Sequence, residues 1–155
     1  MAIQHHLSSR SGPKPRTGPA IPHQQLSQIA PAELQEQLWS RMLTLAGATA
    51  GRSNISFPET RALHLAPEAA AGPAEAFLIG TEFAHLHGVE DGSLHLALPE
   101  SEAQEVVAAG WGELHPLARE GRRPPTLLMV FGPRDEHELE IVWELVRRSH
   151  RFATS

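Results

Sequence analysis

The stretch that most constrains this chain runs from Glu82 to Pro116, where histidines recur at alternate positions between closely spaced glycines. Glu82-Phe-Ala-His-Leu-His is followed by Gly88-Val-Glu-Asp-Gly92 and then by Ser93-Leu-His-Leu-Ala-Leu. Polar–apolar alternation on both sides of a turn ending in Asp-Gly specifies an antiparallel hairpin with a glycine at positive φ. Residues two apart on a strand share a face, so His85 and His87 point the same way. If the hairpin pairs symmetrically about Glu90, His85 lies opposite His95 and His87 opposite Ser93. Directly opposed Cβ atoms stand about 4.5–5.5 Å apart, which crowds three imidazoles onto one patch of sheet. His115 can join them, because the glycines flanking Trp111 allow a sharp return after a short helix. Glu82 has the opposite parity and reaches this face only through a bulge.

The flanking sequence supplies a scaffold for that hairpin. Leu34, Leu38, Met42 and Leu45 form an apolar stripe at helical spacing, opened by Pro31 and ended near Gly47. Trp39 beside it is expected to fill core. Ser53 to Phe57, Arg61 to Ala66 and Glu75 to Ile79 alternate and are expected as further strands. Pro99 with Glu100 and Glu102 opens a short helix that Gly110 ends, its acids at the positive helix end. Leu127 to Phe131 reads as a central strand. Asp135 and Glu138 have capping-box spacing before a last helix whose Leu139, Val142, Trp143 and Val146 face the core. The order predicts an α+β fold, a small antiparallel sheet with helices packed on one face. Residues 1–26, rich in Ser, Gly, Pro, Gln and His, show no apolar period and are expected as a disordered tail with an inert His5-His6 pair. Residues 27–155 are expected to form a single domain.

Composition excludes several functions. The chain has no cysteine, so disulfides, thiolate metal sites and cysteine nucleophiles are ruled out. No signal-peptide core opens the sequence, and no run approaches the roughly 18 apolar residues of a membrane span. A soluble, cytoplasmic protein with no membrane partner is therefore expected. Before Glu33 the charged side chains are Arg10, Lys14 and Arg16, which leaves 10 basic against 18 acidic groups in the remainder. That balance opposes a nucleic-acid surface, which needs a basic face to displace phosphate counterions.

Three readings of the histidines stay open on residues alone. They are polar groups on the wet face of a sheet, ligands of a metal, or an acid–base centre working near neutral pH. A His-Glu-x-x-His motif is missing and no carboxylate is evidently placed to orient a metal site. No cofactor is therefore expected, although metal on His85, His87 and His95 stays open. Arg134, before a helix start, suits an anion or else pairs with Asp135 or Glu138. Trp111 suits a planar ligand or a packing role, and Ser93 lacks the companions of a nucleophilic triad.

Taken together, the Glu82 and Ser93 segments, Gly110-Trp-Gly-Glu-Leu-His-Pro-Leu-Ala, Pro124-Pro and Gly132-Pro-Arg-Asp-Glu resemble the luciferase domain of fungal bioluminescence enzymes. The resemblance covers most of Thr81 to Phe152 in the same order. Fungal members of that family oxidise 3-hydroxyhispidin with molecular oxygen, losing carbon dioxide and emitting light. The resemblance implies His85, His95, His115 and Arg134 as catalytic residues and His87, Ser93 and Trp111 as substrate contacts. It implies a cofactor-independent oxygenase with molecular oxygen as co-substrate and an electron-rich, enolisable small molecule as ligand. In it His85 or His95 removes the hydroxyl proton, Arg134 steadies negative charge and Trp111 covers the ring. The short form without an N-terminal membrane anchor suggests a soluble, bacterial-type relative. A non-catalytic small-molecule-binding or interaction domain would explain the same residues. Nothing in the sequence sets the oligomeric state.

Overall fold

The computed structural model describes residues 7–155 of the chain. Six strands, β1 (Ala48–Arg52), β2 (Arg61–Leu65), β3 (Glu82–Leu86), β4 (Leu94–Ala97), β5 (Gly112–Leu114) and β6 (Leu127–Val130), form one antiparallel sheet. Their order across it is β1-β2-β3-β4-β6-β5. The predicted hairpin lies near the middle, with His85 opposite His95. The His87 amide donates to the Ser93 carbonyl at 2.9 Å, so the symmetric register about Glu90 continues into the loop. Gly92 closes that loop at φ 71°, a left-handed conformation that a glycine adopts without a Cβ penalty.

Two adjacent rows across the sheet set its two faces. Leu63, Ala84, Leu96, Leu128 and Leu114 form one row of successive register partners. Gly51, Ala62, His85, His95, Met129 and Glu113 form the next. Neighbouring rows point to opposite sides, so one face is aliphatic and the other carries the imidazoles. Helices α1 (Ala32–Met42), α2 (Glu100–Ala108) and, after the four-residue α3 (Pro116–Arg119), α4 (Glu136–Thr154) supply the cover for the aliphatic face. Helix α4 lies against β3 and β4, and α1 against α4. In α4 the spacing of Leu139, Val142, Leu145 and Val146 turns all four inward, and each is buried. Burial of such a side chain is worth about 1.5–3 kcal/mol, so this stripe is what fastens the helix to the sheet.

The α+β class and the antiparallel sheet agree with the sequence reading, but three segments differ from it. Ser53 to Phe57 is a bent loop, because Ser53 and Asn54 turn to donate to Glu82 and Ile55 and Phe57 stay half exposed. Glu75 to Ile79 starts with a single 3-10 turn at Ala74–Ala76 after Pro73, leaving only a bridge from Ile79 to Glu82. Strands β1 and β5 replace them in the sheet; their short, small or polar sequences carry little alternation.

The third difference is at the N-terminus. Residues 1–6, with His5 and His6, lie outside the described residues. Residues 7–26 are not a disordered tail: they form a strap along the body. The Arg10 amide donates to Ala109 (2.9 Å), Trp111 Nε1 donates to the Ser8 carbonyl (2.6 Å), and Thr17 pairs with Gln25 across a turn. The Gly132 amide donates to Gln25 Oε1 at 3.1 Å, and both His23 and Gln25 are buried. Hydrogen bonds to the body rather than an apolar stripe hold this segment, so no hydrophobic period announces it. Among the described residues no helix is long and apolar enough to cross a membrane.

Candidate active site

The imidazole face is assembled around a bulge. Leu63 pairs with Ala84 but His64 pairs with Glu82, so one residue of β3 is skipped and the parity of Glu82 reverses. Glu82 is fully buried and accepts from His85 Nδ1 (2.7 Å), Ser53 Oγ (2.8 Å) and the Asn54 amide (2.8 Å). Burial alone would push this carboxyl up, yet the three donors together hold it below the ordinary carboxylate value. It is an anion, and the His85 proton is therefore on Nδ1.

The same logic fixes the other rings. His87 Nδ1 lies 2.9 Å from Ser93 Oγ, and the Ser93 hydroxyl in turn donates to Asp91. The proton between His87 and Ser93 therefore belongs to His87 Nδ1. His95 Nε2 lies 2.8 Å from His23 Nδ1, while His23 Nε2 lies 2.6 Å from Glu113 Oε2. Burial opposes ionisation of Glu113, but His23 and Lys14 outweigh it and lower this carboxyl to about 2. An ionised Glu113 accepts from His23 Nε2, and with a single proton on that ring His23 Nδ1 is left to accept from His95 Nε2.

With one proton on each ring, the outward nitrogens of His85, His87 and His95 carry it and their inward nitrogens keep a lone pair. His85 Nε2 is 3.2 Å from His87 Nε2, and each of the two is 3.1 Å from His95 Nδ1. Three lone pairs thus converge on one point. Burial, followed by the neighbouring imidazoles, lowers His95 well below the ordinary histidine value, and burial is also the leading reason that His85 is lowered.

That point lies at the floor of a cavity of about 650 Å³. The strap contributes Ile21, Pro22 and His23 to its wall, and the loop after β1 contributes Ile55 and Phe57. His115 completes the floor, its ring centroid 5.0 Å from that of His95. As the residue capping α3, His115 accepts at Nδ1 from the Leu117 amide (3.1 Å), so its Nε2–H is free to donate. Burial, then the charge of neighbouring groups, lowers His115 to about 4 and keeps it neutral near pH 7.

The structure therefore brings together four of the residues singled out in the sequence: His85, His87, His95 and His115. Ser93 stands behind His87 and is fully buried, away from the cavity wall. Trp111 is in the hydrophobic core, and Arg134 lies outside the cavity. Arg134 grips Glu138 and donates to the Ser11 carbonyl and Gln28, so it ties the strap to the start of α4. Neither side chain is where it could cover or charge-stabilise a ligand in this cavity. His23, Asp91 and Glu113 were missed by the sequence reading. His23 sits in a segment without apolar period, whereas the strand parity that puts Glu113 in the His85 row was available within Gly112-Glu-Leu. Carboxylates that orient the imidazoles, not evident in the sequence, are supplied by Glu82, Glu113 and, through Ser93, Asp91.

Residues 80–149 match the luciferase domain family. A luciferase of Armillaria ostoyae is 43% identical over 76 residues, and one of Armillaria gallica is 42% identical over 76 residues. A luciferase of Neonothopanus nambi is 41% identical over 76 residues. Each match covers 48% of this chain and 28–29% of the relative, so the chain spans less than a third of the length of the curated relatives it matches. These relatives are fungal, and a bacterial-type form finds no support among them. No solved structure shows a significant match. The matched region contains β3, β4, β5 and β6 with the imidazoles His85, His87, His95 and His115, so the similarity to luciferase domains falls on the strands that build this cluster.

Proposed function

We propose that this chain is a luciferase-like oxygenase domain acting on a planar, electron-rich, enolisable small molecule with molecular oxygen. The observation that carries the reading is the convergence of three buried imidazole lone pairs at the floor of a 650 Å³ cavity walled by Ile21, Ile55, Phe57 and Leu127. A cavity of this size accommodates a small aromatic or pyrone-like ring. A hydroxyl presented to the floor gives its proton to the lone-pair cluster, and the neutral His115 Nε2–H donates to the oxygen left behind. Stabilising the enolate with the preoriented His115 N–H supplies the electrostatic part of the rate. The enolate passes an electron to oxygen, the two radicals combine to a peroxide, and the peroxide closes on the adjacent carbonyl and fragments.

The carboxylates behind the imidazoles are part of this reading. Glu82 and Glu113 fix the tautomers, so the floor accepts rather than donates protons. Oxygen-electrode measurements with a panel of hydroxypyrones and related enols test it. Uptake that depends on enol and protein, and falls by at least about 100-fold in His85→Ala, is expected for loss of the group that takes the proton. Thermal stabilisation by the same enols with no uptake and with intact ligand recovered would instead identify a binding domain.

A further inference from the structure

We infer that His85, His87 and His95 hold a divalent first-row transition-metal ion whose remaining coordination positions open onto the cavity. The inference shares its cluster with the oxygenase reading and rests on it only for what the ion would act upon. Its physical basis is the tautomer set. Glu82 fixes the proton of His85 on Nδ1, the Ser93–Asp91 pair that of His87 on Nδ1, and the His23–Glu113 pair that of His95 on Nε2. What remains is three acceptors 3.1–3.2 Å apart with no donor among them. Three lone pairs facing one another at hydrogen-bond distance repel, and a cation at their focus turns that repulsion into attraction.

The dimensions suit an ion. Zinc–imidazole bonds are about 2.0–2.1 Å, and a triangle of nitrogens with the observed edges gives angles of about 100° at such an ion. That value lies between the octahedral and tetrahedral angles, so three nitrogens occupy one side of the ion and leave the other side open. A ligand set of neutral nitrogens without carboxylate selects Zn, Fe, Co, Ni or Cu over Mg or Ca. The outer contacts are also those of metal sites, in which an imidazole donates its other N–H to a carboxylate directly or through one relay. Here the relays are none for His85, a serine hydroxyl for His87 and a second imidazole for His95.

A second histidine group, His23, His95 and His115, also has ring nitrogens close together. It lacks convergent lone pairs: His95 Nε2 is occupied with His23, and His115 Nδ1 accepts from the Leu117 amide. The inferred ion therefore belongs to the first group. With an ion in place, the enol oxygen would be polarised by it, in the part assigned above to the free lone pairs.

The test uses the full chain carrying His5→Ala and His6→Ala, produced without an affinity tag. Elemental analysis of the purified protein is expected to find about one transition-metal ion per chain, as for a preorganised site. After chelator stripping, titration with Co2+ should restore one ion and give visible ligand-field bands. His95→Ala should abolish those bands. Because His95→Ala also opens a buried site, Glu82→Gln provides a second reading: circular dichroism checks that it is folded, and Co2+ affinity should fall about 10–100-fold. Less than about a tenth of an ion per chain together with no Co2+ bands would overturn the inference and leave a shared proton as the occupant. Co2+ binding unchanged in both variants would overturn it as well. Oxygen uptake by a chain that binds no metal would remove the ion and keep the oxygenase. A stoichiometric ion in a chain inert to every enol would do the reverse.

Discussion

Glu82 is the residue on which the arrangement can be tested most directly. Its carboxylate is fully buried and accepts three hydrogen bonds, from His85 Nδ1, Ser53 Oγ and the Asn54 amide. Glu82→Ala leaves those donors without an acceptor. A bond to a charged group is worth about 1.5–3 kcal/mol, but the three share one desolvation and do not add. Three buried donors left unsatisfied, at about 1–3 kcal/mol each and less than additive, put the loss at about 3–5 kcal/mol. With a urea slope of about 2 kcal/mol per molar, the unfolding midpoint should fall by about 2 M. Glu82→Gln is subtler. If the amide keeps its oxygen for the Asn54 amide on the Oε1 side, its N–H2 faces Ser53 Oγ, which can accept, and the His85 Nδ1–H, which sets donor against donor; the flipped amide sets the same conflict against the Asn54 N–H. Relief requires His85 to move its proton to Nε2, into the cluster, at a cost of about 2 kcal/mol. Nitrogen-15 spectra of the imidazole rings read this directly. A Glu82→Gln protein within about 0.5 kcal/mol of the native one, with His85 still protonated at Nδ1, would refute the assignment of the tautomers.

Three further outcomes are expected. Glu113 titrates at about 2 in the folded chain against an ordinary 4.5, so the unfolded state binds more protons between these values. Its contribution is complete above pH 4.5 and is lost as pH falls toward 2; Glu113→Gln should flatten this acid limb in urea melts across pH. The loss at neutral pH should be about 2 kcal/mol, below the full value of the shift, because Lys14 is 59% exposed and screened. Arg134→Ala, which leaves the buried Glu138 without its guanidinium, should cost about 2 kcal/mol in the same melts while the dissociation constant for a bound enol stays unchanged. Phe57→Ala at the half-exposed cavity wall should leave stability within about 0.5 kcal/mol yet weaken binding of an aromatic enol by about fivefold, measured by calorimetry.

What was legible in the sequence was whatever short-range rules determine. The pairing of His85 with His95 followed from a loop of fixed length and strand parity, and α4 from a stripe with an Asp135 cap. Glu82 could be assigned to the imidazole face only on condition of a bulge, and a bulge depends on the partner strand, here β2, as much as on the local residues. The Ser53–Phe57 alternation misled because Ile55 and Phe57 face a cavity rather than a core. Arg134 and Trp111 misled in another way. Each has a chemistry that suits a ligand, but each is used to hold the strap, through Ser11 and Ser8 respectively. Residues 7–26 were illegible because hydrogen bonds to distant carbonyls and amides carry no period along the chain.

The polarity of this face is itself an argument that it serves chemistry. His23, His85, His87, His95, Glu82 and Glu113 are all buried, and burying so many ionisable groups is a poor source of stability even when each is paired. Aliphatic residues of similar volume at the same positions would hold the sheet at least as well, as they do in the adjacent row of Leu63, Leu96 and Leu128. The pairing is also directional: each acidic or hydroxyl partner sits behind its imidazole and draws the proton away from the cavity. A set of hydrogen bonds serving stability alone would place donors between the rings, where they are 3.1–3.2 Å apart. Here the N–H groups of His85, His87 and His95 all point outward, so the free energy spent on desolvation leaves three poised lone pairs at the cavity floor. The strap is what makes that possible. His23 reaches the cluster from residues with no apolar stripe of their own, bridges His95 to Glu113, and closes one side of the cavity in the same contact. Packing of the strap and the electronic state of His95 are thus one event, and a chain whose strap detaches should lose the directed lone pair of His95 before it loses the sheet.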